Sequence, residues 1–173
     1  MQMKPQDLLV TLKILASGWP GSYALLGKQL GLSSSEAHAA INRARKEGLL
    51  HPTETMPNKT ALAEFLLYGL RYVFPAELGS LTRGLPTSYA APPLAEHFST
   101  AERDDIPVWP VAAGERRGYA LPPLYRSVPQ AVRVDAALYG WLALVDALRA
   151  GRARERELAA RLVRERLAYD TTR

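Results

Sequence analysis

The sequence predicts a mainly α chain in three stretches: an N-terminal helical unit, an irregular proline-rich middle holding a small β-hairpin, and a C-terminal helical pair. Three observations lead there. Apolar residues recur at helical spacing near both ends. Glycine, proline and serine punctuate the stretch from Pro75 to Pro123 most densely, GLPTSYAAPPL being its extreme. The 173 residues are 47 % hydrophobic, enough for a core without covalent staples. Two units are expected, residues 1–75 and residues 76–173.

Taken in order, Leu8, Leu9, Leu12 and Leu15 mark a first helix from Pro5 to Ala16, stopped by Gly18, Pro20 and Gly21. Ser22 caps a short helix from Tyr23 to Leu30, with Leu25, Leu26 and Leu30 inward and Gly31 ending it. Ser33 or Ser34 caps a third helix that runs to about Glu47. Glu36, three residues after Ser33, completes a capping box, and Gly48 supplies a left-handed stop. HPTETMPN then reads as a turn-rich connector. Asn58 caps a fourth helix with a stripe of Leu62, Phe65, Leu66, Gly69, Leu70 and Val73. In the middle, VWPV and GYAL, separated by AAGERR, predict the hairpin. Asp135 caps a run with Leu138, Trp141, Leu142, Val145 and Leu148 on one face, and after Gly151 the pattern resumes with Leu158, Leu162 and Leu167.

Composition narrows the chemistry. With no cysteine there is neither a disulfide framework nor a thiolate metal site. The first 21 residues carry Lys13 inside their apolar run and lack a signal-peptide cleavage pattern. No stretch has about 18 uncharged apolar residues, so a soluble cytoplasmic protein with no membrane association is expected. A net charge of +5 favours a polyanionic or acidic partner. Glycine-rich phosphate loops, a nucleophile elbow and HExxH are all absent, and His38, His51 and His97 lie far apart. Asp104 and Asp105, with Glu102 before them, read as a turn or cap in preference to an acid/base pair. No enzyme, cofactor or metal is expected.

The most informative segment is YALLGKQLGLSSSEAHAAINRARKEGLL, residues 23–50. It resembles the helix-turn-helix of bacterial winged-helix repressors. Gly27 is small where two helices cross, Gly31 takes the turn, and Leu26, Leu30, Leu32, Ala37, Ala40 and Ile41 form the seam. Ser33, Ser34, Ser35, His38, Asn42, Arg43 and Lys46 are then the candidate DNA-binding residues. Serine hydroxyls at a helix start suit phosphate oxygens, an asparagine amide suits adenine, and arginine and lysine suit phosphates or guanine. The alternative is that Ser33 merely caps the helix and the others are solvated. Only HPTETMPN stands where two wing strands belong, so the wing is expected to be reduced or absent. Affinity would then come from two copies pairing on double-stranded DNA.

Near the C-terminus, Arg149, Arg152 and Arg156 fall three and four apart, a spacing that places them on one helix face beside Tyr139 and Trp141. The face suits an acidic partner; the alternative is ordinary surface pairing such as Glu157 with Arg161. The order of parts, with YVFPAELG, TRGLPTSYAAPPL and DALRAGRARERELA, is similar to the antitoxin repressors encoded beside nucleotidyltransferase toxins of the abortive-infection E type. That resemblance implies an autorepressor whose N-terminal part binds its own promoter and whose C-terminal part meets a cognate toxin. The competing expectation is an adaptor that uses the same scaffold to bind protein without reading DNA.

Overall fold

A computed structural model describes residues 2–99 and 103–170. It is dominated by helices and carries one small three-stranded sheet. Helix α1 spans Pro5–Ser17, α2 Tyr23–Leu30 and α3 Ser34–Lys46. Helix α4, Lys59–Glu64, starts at an Asn58 cap and continues through a wide π turn, Phe65–Gly69, into α5, Leu70–Val73. The strands are β1 Leu81–Pro86, β2 Pro107–Pro110 and β3 Arg116–Ala120. A short α6, Val128–Ala131, precedes the long pair α7, Ala136–Ala150, and α8, Ala153–Leu167.

The expected hairpin is not what forms. β2 and β3 run parallel, Pro107 beside Tyr119 and Val108 beside Ala120, and both pair antiparallel with β1, a segment expected to be irregular. The three strands close on themselves as a miniature barrel. So tight a closure leaves no interior room: a Cβ at Gly84 would stand 2.0 Å from the Trp109 carbonyl oxygen, and one at Gly118 2.2 Å from that of Ile106. Glycine at these positions is therefore a packing requirement.

One apolar cluster runs through both halves of the chain. Leu8, Leu12, Leu26 and Ile41 belong to the same buried set as Leu62, Leu70, Trp109, Leu142 and Val163. The stripe on the fourth helix packs within this core: Leu62, Leu66 and Leu70 are buried, whereas Val73 is exposed.

Two buried carboxylates fasten distant elements, one of them across the two halves. Asp135 caps α7 by accepting from the Leu138 N–H at 3.0 Å, and its other oxygen accepts from Lys13 Nζ and Ser17 Oγ of α1, each at 2.5 Å. Burial alone would raise its carboxyl, but the Lys13, Ser17 and Leu138 bonds hold it below the ordinary value. Asp146, fully inside, accepts from Thr87 Oγ1 and Trp109 Nε1, both at 2.6 Å, and pairs with Arg149 at 3.2 Å. This joins α7 to the barrel. Among the described residues no helix is long and apolar enough to cross a membrane.

Candidate nucleic-acid interface

The site is built by the turn between α2 and α3. Ser22 accepts from the Leu25 N–H to start α2, and Gly31 ends it at φ 69°, ψ 32°, where a Cβ would be strained. The chain then folds back, the Leu32 N–H donating to the Gly27 carbonyl at 2.8 Å. This approach leaves only a hydrogen's room at Gly27, where a Cβ would lie 2.5 Å from the Leu32 carbonyl oxygen. Ser33 Oγ accepts from the Glu36 N–H at 3.0 Å, and Glu36 Oε2 accepts from the Ser33 N–H at 2.7 Å. These reciprocal bonds are the predicted capping box, and the Ser33 backbone bond holds the Glu36 carboxyl below its usual range. The alternative reading of Ser33 thus has direct support: its side chain is engaged as a cap.

With the start set, the 3.6-residue period sorts the rest of α3. Ala37, Ala40, Ile41 and Ala44 face the core with no exposed area. Ser34, Ser35, His38, Asn42 and Lys46 are exposed. Ser35, His38, Asn42 and Lys46 follow one another at three, four and four residues, a single outward stripe. Its middle is pre-ordered: the His38 ring packs on Tyr23 at 4.6 Å between centroids, and Asn42 Nδ2 lies 3.2 Å from His38 Nε2. The amide donates to that nitrogen when the imidazole carries its proton on Nδ1, leaving Asn42 Oδ1 and one N–H outward.

Arg43 corrects the sequence expectation. Its Nε and Nη2 both bond Oδ1 of the buried Asp7 at 2.8 Å, and the guanidinium braces α3 against α1 instead of facing outward. Glu47 lies in the same corner. Among the described residues no donor reaches its two solvent-closed carboxyl oxygens, and burial, then a hydrogen bond toward the Asp7 carboxylate and its charge, push it up to about 8. Arg45 is also occupied, donating from Nη2 to Thr55 Oγ1 at 2.9 Å. That bond ties α3 to the connector after it, where Leu50 and Pro57 form a single antiparallel bridge and the His51 N–H donates to the Met56 carbonyl at 2.9 Å. The connector is a stub of a hairpin.

Two participants had no local signal. Tyr23 supports His38 from the preceding helix. From the C-terminal half, Ser127 Oγ donates to the Leu30 carbonyl at 2.5 Å, which brings the exposed Arg126 within electrostatic reach of Glu36 at the start of α3. Some ninety residues separate Arg126 from that helix, beyond the reach of any periodicity argument.

The C-terminal arginines do not form the face their spacing suggested. The chain is extended at Gly151 and Arg152, so α7 ends before α8 begins and the three residues do not share one helix. Arg149 is buried against Asp146 and donates from Nη2 to the Pro122 carbonyl at 2.7 Å. Arg152 stays exposed at the start of α8 and Arg156 is half-buried. Tyr139 donates to the Pro86 carbonyl, and Trp141 receives Arg166 over its ring at 5.7 Å. Glu157 and Arg161 are not among the ion pairs of the described residues. Asp105 is bound by Arg103 through two bonds of 2.7 Å, and Glu102 lies outside the described residues. No three metal-ligating side chains converge among the described residues. Comparison with protein-family models, curated proteins and solved structures finds no match for this chain.

Proposed function

We propose that the chain is a DNA-binding transcriptional regulator in which α2 and α3 act as a helix-turn-helix and α3 enters the major groove. The carrying observation is the exposed stripe Ser35, His38, Asn42 and Lys46, with Ser34 beside its start. It stands on a helix whose opposite side is wholly buried and whose entry turn is determined by Gly27 and Gly31. Reading helices of this kind contact base edges from their N-terminal half while their first turn meets phosphates. Arg126 adds a cation at that first turn, and Lys46 and Lys28 are exposed for the backbone.

With Arg43 and Arg45 internally committed, the cationic surface of α3 is small, which favours two copies on one site. The test is a binding titration on the upstream DNA of the gene across a salt series. Affinity falling linearly in log–log form, with preference for the upstream sequence, supports the reading; no binding at low salt overturns it.

The finer assignment, an autorepressing antitoxin with a nucleotidyltransferase-type toxin as partner, rests on the order of parts described above. Its test is co-purification with the product of the neighbouring gene. The same commitment of Arg43 and Arg45 favours, as a second reading, an adaptor that binds protein through this scaffold. Equal, weak affinity for all DNA sequences would select it.

A further inference from the structure

Helix α8 and the turn Leu94–His97, with Phe98 after it, enclose an open groove of about 1000 Å3, its mouth included. Arg154, Leu158, Arg161 and Arg164 line it from the helix at steps of four, three and three residues, and Glu157 stands among them. That spacing puts all five on one face, over about 15 Å at 1.5 Å per residue. Arg154 rests over the Phe98 ring at 5.4 Å. Neither Arg161 nor Glu157 makes a hydrogen bond or ion pair with another described residue. Arg164 has its Nε closed off from solvent with no acceptor among the described residues, and its electrostatic neighbour Tyr169 is an uncharged phenol at neutral pH.

Three guanidinium groups thus share one groove with a single carboxylate, and none of the three belongs to an ion pair of the described residues. A guanidinium nitrogen taken from water without an acceptor is costly, and an anion reaching the rest of the Arg164 head offsets that cost. Phe98 and Leu158 are half-buried beside these groups, and arginine next to an aromatic ring is the composition of protein interface anchors. An open groove suits a segment of chain better than a small molecule, which binds where it can be enclosed. Glu157 narrows the choice of anion. A nucleic-acid strand would carry its closely repeated phosphates past this carboxylate and be repelled, whereas a peptide spaces its acids and offers N–H donors between them. We infer that this face of α8 docks an acidic segment of a partner protein. Carboxylates meet Arg161 and Arg164, an aliphatic or aromatic side chain lies on Leu158 and Phe98, and a backbone N–H or basic side chain meets Glu157. About five residues of extended chain span the row. Neither α2 nor α3 contributes to the groove, so the assignment stands apart from DNA reading by α3.

The experiment is fluorescence anisotropy on the full chain with short labelled peptides in which Asp and Glu flank one Leu or Phe. The same peptides with Asn and Gln in place of the acids, and a labelled oligothymidylate, serve as comparisons. The expected result is saturable binding of at least one acidic peptide, about 10-fold tighter than its neutral counterpart and than oligothymidylate. Arg161→Glu, at an exposed position, should weaken that peptide about 10-fold. Arg133→Glu, the same charge change at an exposed position outside the groove, should leave its affinity within about 2-fold. No saturable binding of any acidic peptide up to about 1 mM overturns the inference. So do tighter binding of oligothymidylate, equal affinity for the neutral peptides, or equal losses from Arg161→Glu and Arg133→Glu.

Discussion

Two buried aspartates, one in each half of the chain, hold arginines in different company. Asp7 lies wholly inside, accepts from the Lys4 N–H at 2.9 Å and from Arg43, and has the undonated carboxyl of Glu47 as a neighbour. Asp146 is as deeply placed but is served by Thr87, by Trp109 of β2 and by Arg149 of its own helix. The first centre is a hinge between two helices with one acid too many; the second is a joint between helix and barrel in which three donors reach one carboxylate. A buried charge is tolerated according to how many donors reach it, and so the two centres should respond differently to mutation.

The largest effect is expected at the joint. Asp146→Ala leaves a buried guanidinium, an indole N–H and a hydroxyl without their acceptor, and should cost about 3–5 kcal/mol in denaturant unfolding. Trp109 fluorescence should report the barrel loosening along with the global transition. At the hinge, Arg43→Ala should cost about 2 kcal/mol, less because the guanidinium is partly exposed. Specific DNA affinity, measured on the folded fraction, should hardly change.

Asn42→Ala should do the opposite. Stability should move by no more than about 0.5 kcal/mol, and discrimination for the best upstream site should fall by about 1–3 kcal/mol. If Arg43→Ala erases binding in fully folded protein while Asn42→Ala leaves it intact, the division between brace and reading stripe is wrong.

Acid and base probe the first centre further. Glu47, ordinarily 4.5 and here pushed up to about 8, keeps a proton in the folded chain that the unfolded chain releases. Its contribution is fully present below about pH 4.5 and is lost as pH rises through about 8, so stability should decline across that window. Glu47→Gln should flatten this part of the unfolding profile; an unchanged slope would show that the corner does not hold the proton. Ser33→Ala removes a cap from an exposed helix start and should cost about 1 kcal/mol.

How much of this was readable beforehand depends on the distance between partners. Ser22, Ser33, Asn58 and Asp135 all cap the helices expected of them, because a cap bonds a backbone N–H three residues on. The miniature barrel was not readable. β1 shows no clean alternation and pairs with strands some 25 and 35 residues later, and the parallel contact between β2 and β3 exists only because β1 lies against both. The candidate site divides in the same way: the outward stripe of α3 followed from its period, whereas Tyr23, Arg126 and the loss of Arg43 and Arg149 to aspartates did not.

The sequence by itself determined the helices, their caps, the left-handed turn at Gly31 and the side of α3 that faces out, since each is decided within about one helical turn of chain. Only the tertiary structure decided which cations remain available. Arg43 lies 36 residues from Asp7 in the chain and donates to it at 2.8 Å, and Arg149 turns inward because Asp146, Thr87 and Trp109 converge beneath it. A guanidinium goes where a buried carboxylate most needs a donor, and that place is set by packing between distant segments.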